Sequence, residues 1–599
     1  MKLYRISLAI LLGLSTLTSC DDKLDVTNPN QQTAATFGSD VDALEENVIA
    51  AYNHIRMEGT YARVGYMLDV CRGDEVWNSS QVWYMPFDDL NVAFTDEIGQ
   101  WSWRDWYYTI NVCNYTLSRC GEDNSALSEQ MKRIKGQMLF LRGLGYYNLA
   151  GYYQNPILIT DYNTYSTLNG LYGSNNTYDE VWDQVEKDFA EAMTLLPTRD
   201  AGGEWAKGRA TSGSAAGYYA RALMMRHKYS EALTVLRAII NGQYGTYKLM
   251  ANYGDNFREG SAFENNDESL FEIQFLDYGS QGVDDEWTPV NTSPNATQGS
   301  AIESNFGPGD CGGWADLSAS PWLYNLFKAE RTVSGTLDPR LYWTIGTYEP
   351  EWDGFEYGNV CYTVPQSDDW GNDDIPLVTN NNYGGLPVAK NTNLRTGIYD
   401  KVVTGLHCGI NLRMMRYSDV LLRAAECENE LNGPTQQAID WINQVRNRAE
   451  LPSLNLADFN GNKDKLFEQI ANVERPKEFG CEFGRGLDLI RWGFFYNEGR
   501  MQQLKEHGTF LLTSKRALLK TPLKDYVGLN TYEDADHELW TVKSSYASFS
   551  SGHEFIPIPQ THMNANPNLV GNSANDNIDN TSYFSGNGWT VHPVVDLSK

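Results

Sequence analysis

Along the chain, apolar and small residues recur three and four positions apart in long blocks, the spacing that places them on one face of a helix. The strongest block is 131–160, where Ile134, Met138, Leu141, Gly145, Leu149 and Tyr152 share a stripe and Lys132, Arg133 and Lys135 lie opposite it near the start. Pro156 predicts its end, because proline lacks an amide donor and disfavours helix in the residue before it. Gly136, Gly143, Gly145 and Gly151 sit inside the block. Each costs a helix about 1 kcal/mol against alanine, so their presence predicts a close approach by another backbone.

The same period predicts helices over 41–56, 101–120, 177–196, 210–227, 229–241, 411–431, 435–449 and 463–479. Thr177 and Glu180 have the spacing of a capping box, and Pro197 closes that helix. Helix pairs with small residues at their crossings resemble tetratricopeptide repeats in architecture, without meeting the consensus. Two stretches break the pattern. Residues 69–100 hold acids, Pro86 and tryptophans with little periodicity, and are expected to be mainly exposed loops. From about 244 to 407, a strand-like piece at 269–276 alternates with Gly-, Asn-, Asp- and Pro-rich segments containing Trp287, Trp314, Trp322, Trp352 and Trp370. Loops this long are functional or disordered, and aromatic richness argues against disorder.

The expected class is therefore mostly α: a tetratricopeptide-like helical repeat scaffold packed against an irregular, loop-rich half. A single body over 41–599 would have helical repeats at about 41–243 and 408–495, an insert at about 244–407 and an extended C-terminal region at about 496–599.

The first residues change the picture of where this body resides. Lys2 and Arg5, an apolar run and Leu17-Thr18-Ser19 before Cys20 describe a secretory signal over 1–19. The last four residues resemble a bacterial lipobox, in which Cys20 is lipidated, with 20–40 as a polar, acidic tether. An ordinary signal peptide with an incidental cysteine is the alternative. No second run of 18 or more apolar residues follows. A net charge of −30 argues against nucleic acid or an anionic membrane surface as partner, since both need clustered basic residues.

Candidate chemistry is sparse. The eight cysteines after Cys20 form no CxxC pair or zinc spacing and are expected to be buried thiols; no cofactor or metal is expected. Asp458, Asn460, Asn462 and Asp464 alternate as calcium ligands do, but the glycine falls at loop position 4 and Gln469 at position 12, which favours a capped loop. HExxH, GxSxG and phosphate-loop motifs are absent. A glycosidase needs only two carboxylates, so among 77 acids that reading stays open.

Aromatic residues make up 13% of the chain, and carbohydrate capture needs such rings to stack on sugar C–H faces beside planar polar groups for the hydroxyls. The first candidate site is Asp74, Trp77, Asn78, Trp83 and Tyr84, supported by Arg72 and Asp69; Trp287, Trp314 and Trp352 could form an opposing wall. The plainer reading packs Trp77 and Trp83 under their own loop. Trp106, Trp322 and Trp492 read as core, and Arg142, Arg209, Arg416, Arg446, Glu426 and Glu474 as interhelical ion pairs.

Several blocks occur in one fixed order: the lipobox, LRGLGYYNLAGYYQNPILIT, GRATSGSAAGYYARALM, LDPRL, RYSDVLLRAAECENEL, INQVRNRAELP, ERPKEFGCEFGRGLDLIRWG and FIPIPQTHMNANPNL. Together they resemble the SusD/RagB family of surface lipoproteins over nearly the whole mature chain. Pro476, Lys477 and Cys481 depart from residues common in the family. The resemblance implies a non-catalytic, lipid-anchored outer-membrane protein facing the exterior. It would capture a glycan, neutral in view of the acidic body, and deliver it to a SusC-like TonB-dependent transporter. A RagB-like peptide binder of the same fold is the alternative.

Overall fold

A computed structural model describes residues 41–571 and 590–598, apart from 79–80, 166–171, 277–298, 308–311, 347–354, 358–359, 363–385, 397–404, 513–516, 519–530, 534–538, 547–548 and 550–551. The first part of the chain is an array of helices: α1 (Val41–His54), α2 (Val64–Val70), then, after strand β1 (Val76–Asn78), α3 (Glu97–Leu117), α4 (Glu129–Tyr153), α5 (Tyr178–Leu195), α6 (Ser212–Met225) and α7 (Tyr229–Ile240). From α3 onward each helix packs on the next, and α1 lies across α3 and α4.

The central helix α4 is capped by Ser128, whose hydroxyl accepts from the Met131 amide at 3.2 Å, and it ends at Gln154, where φ turns to 64°. The predicted one-sided stripe is only part of what is found. From Ile134 to Tyr153 every residue is buried, because α3 covers one flank and α5 the other. The glycines mark these contacts. A Cβ at Gly136, Gly143, Gly145 or Gly151 would stand 2.9, 3.0, 2.9 or 2.7 Å from Leu196, Phe189, Ile110 or Leu487 respectively. Their neighbours are side chains of adjoining elements rather than the backbone that was expected.

The capping box at the start of α5 forms as predicted, with Thr177 and Glu180 each satisfying an open amide. Beyond α7 the chain leaves the array and enters strands β2 (Ser269–Ile273), β3 (Leu317–Ala319) and β4 (Leu386–Pro387), with short helices between them. It returns through β5 (Leu412–Arg416), which pairs antiparallel with β2. The block expected to be helical from 411 thus opens as a strand, and α8 (Tyr417–Asn432) starts only after it. Helix α8 packs directly on α7, and α9 (Gln436–Arg448) on α8, so the array continues across the intervening residues as though uninterrupted. Helices α10 (Lys463–Gln469), α11 (Arg475–Phe479), α12 (Arg485–Arg491) and α13 (Glu498–His507) follow. Strands at 509–512, 517–518, 531–533 and 539–544 form a four-stranded antiparallel sheet. A last short helix, α14 (Gln560–Ala565), lies beside α3 through the contact of Trp103 with His562, and the Ile556 amide upstream of it donates to Tyr152 O of α4.

Buried ion pairs lock these parts together. Asp419 accepts from Arg221 of α6 at 2.9 Å, Arg423 of α8 at 2.8 Å and Arg475 of α11 at 2.8 Å, and Asp488 of α12 accepts from Arg475 and Arg491. Arg416 reaches Glu268, Glu478 and Glu482. Burial penalises the Asp419 and Asp488 charges, but the surrounding guanidinium groups outweigh it and hold both carboxyls well below the usual range. Such clusters fix which elements meet more than they add net stability. Of the residues expected in interhelical ion pairs, Arg142 meets Asp188, Arg446 meets Glu474 and Glu426 meets Arg491, whereas Arg209 reaches Glu45 from the loop before α6 and Arg416 stands on β5.

The 458–464 segment is a capped loop. The Asp458 carboxylate accepts from the Asn455 amide, Asn462 caps α10 at Lys465, and Asp464 meets His592. Cys71, Cys113, Cys120, Cys408, Cys427 and Cys481 are buried free thiols. Cys20, Trp287 and Trp352 lie outside the described residues.

Candidate functional site

The segment after α2 folds inward, not outward. Strand β1 pairs antiparallel with β3, Trp77 opposite Ser318, and β3 pairs in turn with β4. This three-stranded sheet covers much of the expected binding loop. Trp77 is 2% exposed and packs edge-on against Phe510 at 5.0 Å between ring centroids. Tyr84, Asp69, Arg72, Asp74 and Asn78 are buried as well.

Each polar member has a structural task instead. Asp74 takes a two-pronged contact from Arg485 at 2.7 and 2.9 Å and a third from His507 Nδ1 at 2.7 Å. Burial opposes its charge, but Arg485 and His507 prevail and keep the carboxyl well below its ordinary range. The neighbouring Glu75 lies 3.9 Å from the same guanidinium, and burial pushes its carboxyl up to about 8. One arginine serves two adjacent carboxylates, and Asp74 has the better geometry. Asp69 accepts from the backbone amides of Gly484 and Leu487 and so caps α12; burial raises it to about 6. Asn78 donates its amide to Asp88 at 3.0 Å and accepts from the Gln81 amide at 3.0 Å. The carbonyl of Arg72 accepts from the Tyr546 hydroxyl, while its Nη atoms have no hydrogen-bond partner among the described residues. The expectation of an exposed site built on these six residues is corrected by their burial: a buried ring or carboxylate cannot meet a ligand without unpacking the sheet above it.

What remains at the surface is smaller and differently composed. Trp83 is 37% exposed, with Val82, Met85 and Phe94 also exposed nearby in the chain. The β1–β3 pairing brings the distant Trp314, which is half-buried, to the same place. Between them stands Arg63, whose guanidinium carbon lies 5.5 Å from the Trp83 ring centre and 4.8 Å from that of Trp314. Arg63 is held by Glu58 at 2.9 Å. Burial alone would lower its pKa, but Tyr84 and Glu58 overcome that and leave it above the ordinary value, so the cation is permanent. Trp101, half-buried on α3, meets Trp83 edge-to-face at 6.3 Å. Ala315 adopts φ 52°, a left-handed conformation uncommon for a residue with a Cβ, immediately after Trp314. The cluster presents two partly exposed indoles pinned by a buried cation, and the exposed ring surface suits the C–H face of a sugar. Arg63 and Trp101 were missed in the sequence. Trp101 stands in a tryptophan-rich run, whereas nothing local distinguishes Arg63.

Comparison with known proteins bears on the family and the fold. A family model described as "SusD family" matches residues 267–575, and a second, described as "Starch-binding associating with outer membrane", matches residues 22–224. The chain belongs to the SusD family. SusD-like protein P25 of Formosa agariphila is 23% identical to this SusD-family chain, over 96% of it and 99% of the relative. A SusD-like carbohydrate-binding protein from Bacteroides fragilis shares the fold with a TM-score of 0.67 at 21% identity, covering 89% of this chain and 100% of the other. A laminarin-binding SusD-like protein superimposes with a TM-score of 0.61 at 21% identity, covering 90% and 99%. The mostly helical architecture expected from the sequence is the SusD fold.

Proposed function

We propose that this SusD-family protein is a non-catalytic surface lipoprotein that captures a neutral glycan and presents it to a SusC-like TonB-dependent transporter. The observation that carries the reading is the Trp83–Arg63–Trp314 cluster, two partly exposed indoles around a buried, permanently charged guanidinium. Sugar rings stack on exposed indole surface, and the buried Arg63 cation between the two indoles holds these in place. Relatives described as carbohydrate-binding, laminarin-binding and starch-binding support the ligand class, and the starch-binding family description supports outer-membrane association. The lipobox-like residues before Cys20 support lipid anchoring, and the net charge of −30 favours neutral over polyanionic glycans.

The test is affinity electrophoresis of residues 21–599 through gels containing laminarin, amylopectin, xylan, galactomannan or a charged polysaccharide. Retardation on a neutral polysaccharide is expected, lost in Trp83→Ala and in Trp314→Ala without change in melting temperature. Passage of the wild type through every gel unretarded would remove glycan capture, and retention of a peptide mixture instead would favour the RagB-like alternative.

A further inference from the structure

A second concavity opens on a different flank of α3. It is a cleft of about 490 Å³ between α3, the extended segment 157–159 and the α14 region, lined by Trp103, Tyr107, Tyr108, Asn111, His562 and Asn566 among others. Tyr108 is 39% exposed, and Asn111 is exposed beside it. Seven residues separate Trp101, which touches Trp83, from Tyr108, a rise of about 10 Å along the helix. A glycan lying across the Trp83–Trp314 cluster therefore reaches this cleft within a few sugar units.

The lining chemistry selects the occupant. His562 Nε2 is buried and has no hydrogen-bond partner among the described residues. Burial and the nearby Arg104 both lower the His562 pKa, so the imidazole is neutral near pH 7 and its Nε2 can act as donor or acceptor according to the tautomer. Among the described residues no carboxylate lines the cleft, and the one arginine that does, Arg104, donates to Asp105 at 2.7 Å. A charged ligand thus finds no counter-charge that is not already engaged. A peptide laid along the extended wall would need that wall's backbone groups. Four of these six groups are taken: Ile157 O accepts from Tyr107, Ile159 O from Asn114 and Tyr146, and the Leu158 and Ile159 amides donate to Asn176 and Tyr146. Aromatic faces, an exposed amide and an unpartnered neutral imidazole fit sugar rings and hydroxyls.

We propose that this cleft is a second glycan site, which grips a neutral polysaccharide chain beyond the length spanned by the Trp83–Trp314 cluster. The proposal rests on the glycan-capture reading, and the experiment separates the two. Tyr108→Ala and Asn111→Ala are made in the whole mature chain and titrated calorimetrically with laminarin, amylopectin, xylan and galactomannan, and with di- to octasaccharides of whichever polysaccharide binds. Both variants should keep the wild-type melting temperature, bind the shortest oligosaccharides normally, and bind the polysaccharide about five- to tenfold more weakly. Wild-type affinity of both variants at every length, with binding still lost in Trp83→Ala, overturns the second site and leaves capture standing. A wild type that binds no glycan overturns both. Competition by a casein digest that Tyr108→Ala abolishes would make the occupant a peptide and overturn the proposal.

Discussion

Trp77→Ala separates packing from binding at the residue where sequence reasoning and structure part most sharply. Trp77 is 2% exposed, wedged in β1 beneath Phe510. Removing a buried tryptophan deletes about 200 Å² of contact area, and at about 25 cal/mol/Å² this amounts to about 4–5 kcal/mol. That figure lies within the range of about 3–5 kcal/mol typical of emptied aromatic core sites. Unfolding entropy near 2.1 cal/mol/K per residue gives a chain of 599 residues about 1.3 kcal/mol/K, so the melting temperature should fall by about 3–4 °C. Differential scanning calorimetry with a urea titration resolves that shift. Trp83→Ala, on the 37% exposed ring, is the control and should move the midpoint by less than about 1 °C. An unchanged midpoint in Trp77→Ala together with lost glycan retardation would return Trp77 to the binding surface and refute the burial argument.

Asp419→Asn should cost about 3–5 kcal/mol, because Arg221, Arg423 and Arg475 lose their shared anion in the interior; urea midpoints check it, and a loss under 1 kcal/mol would show that the remaining acids compensate. Glu75→Gln tests the carboxyl pushed up to about 8. A raised folded value means that the native state holds the proton: its contribution is fully present below the unfolded value near 4.5 and is lost as pH rises toward 8. The variant, already neutral, should match the wild type at about pH 4 and exceed it by about 4–5 kcal/mol by about pH 9, and a pH-independent difference would contradict the assignment. His592, between Glu430 and Asp464 at 2.6 Å each, has the opposite chemical sense of charge. Burial opposes its protonation, but the two acids raise it above 6.5, so its stabilising effect is complete below that pH and is lost as pH rises through the folded value. Hydrogen exchange of the 590–598 segment should accelerate with that profile beyond the intrinsic base-catalysed rise, and His592→Gln should abolish the excess.

Helix positions were legible because a 3.6-residue period is a local property: the capping box at Thr177 and the proline after α4 mark ends within a turn. The SusD-family blocks were legible for the same reason, as contiguous runs in fixed order. The ion pairs could be named by residue type but not by partner. What the sequence could not decide is which side of a loop faces water. Residues 69–84 are polar and tryptophan-rich, the composition of a surface loop. Yet pairing with 317–319, far along the chain, and capping of α12 by Asp69 draw most of them inside. That choice belongs to contacts between segments hundreds of residues apart, whose free energies no local pattern records. The same strand pairing that buries Trp77 carries Trp314 to Trp83 and sets both against Arg63, so the candidate site exists only in the folded protein.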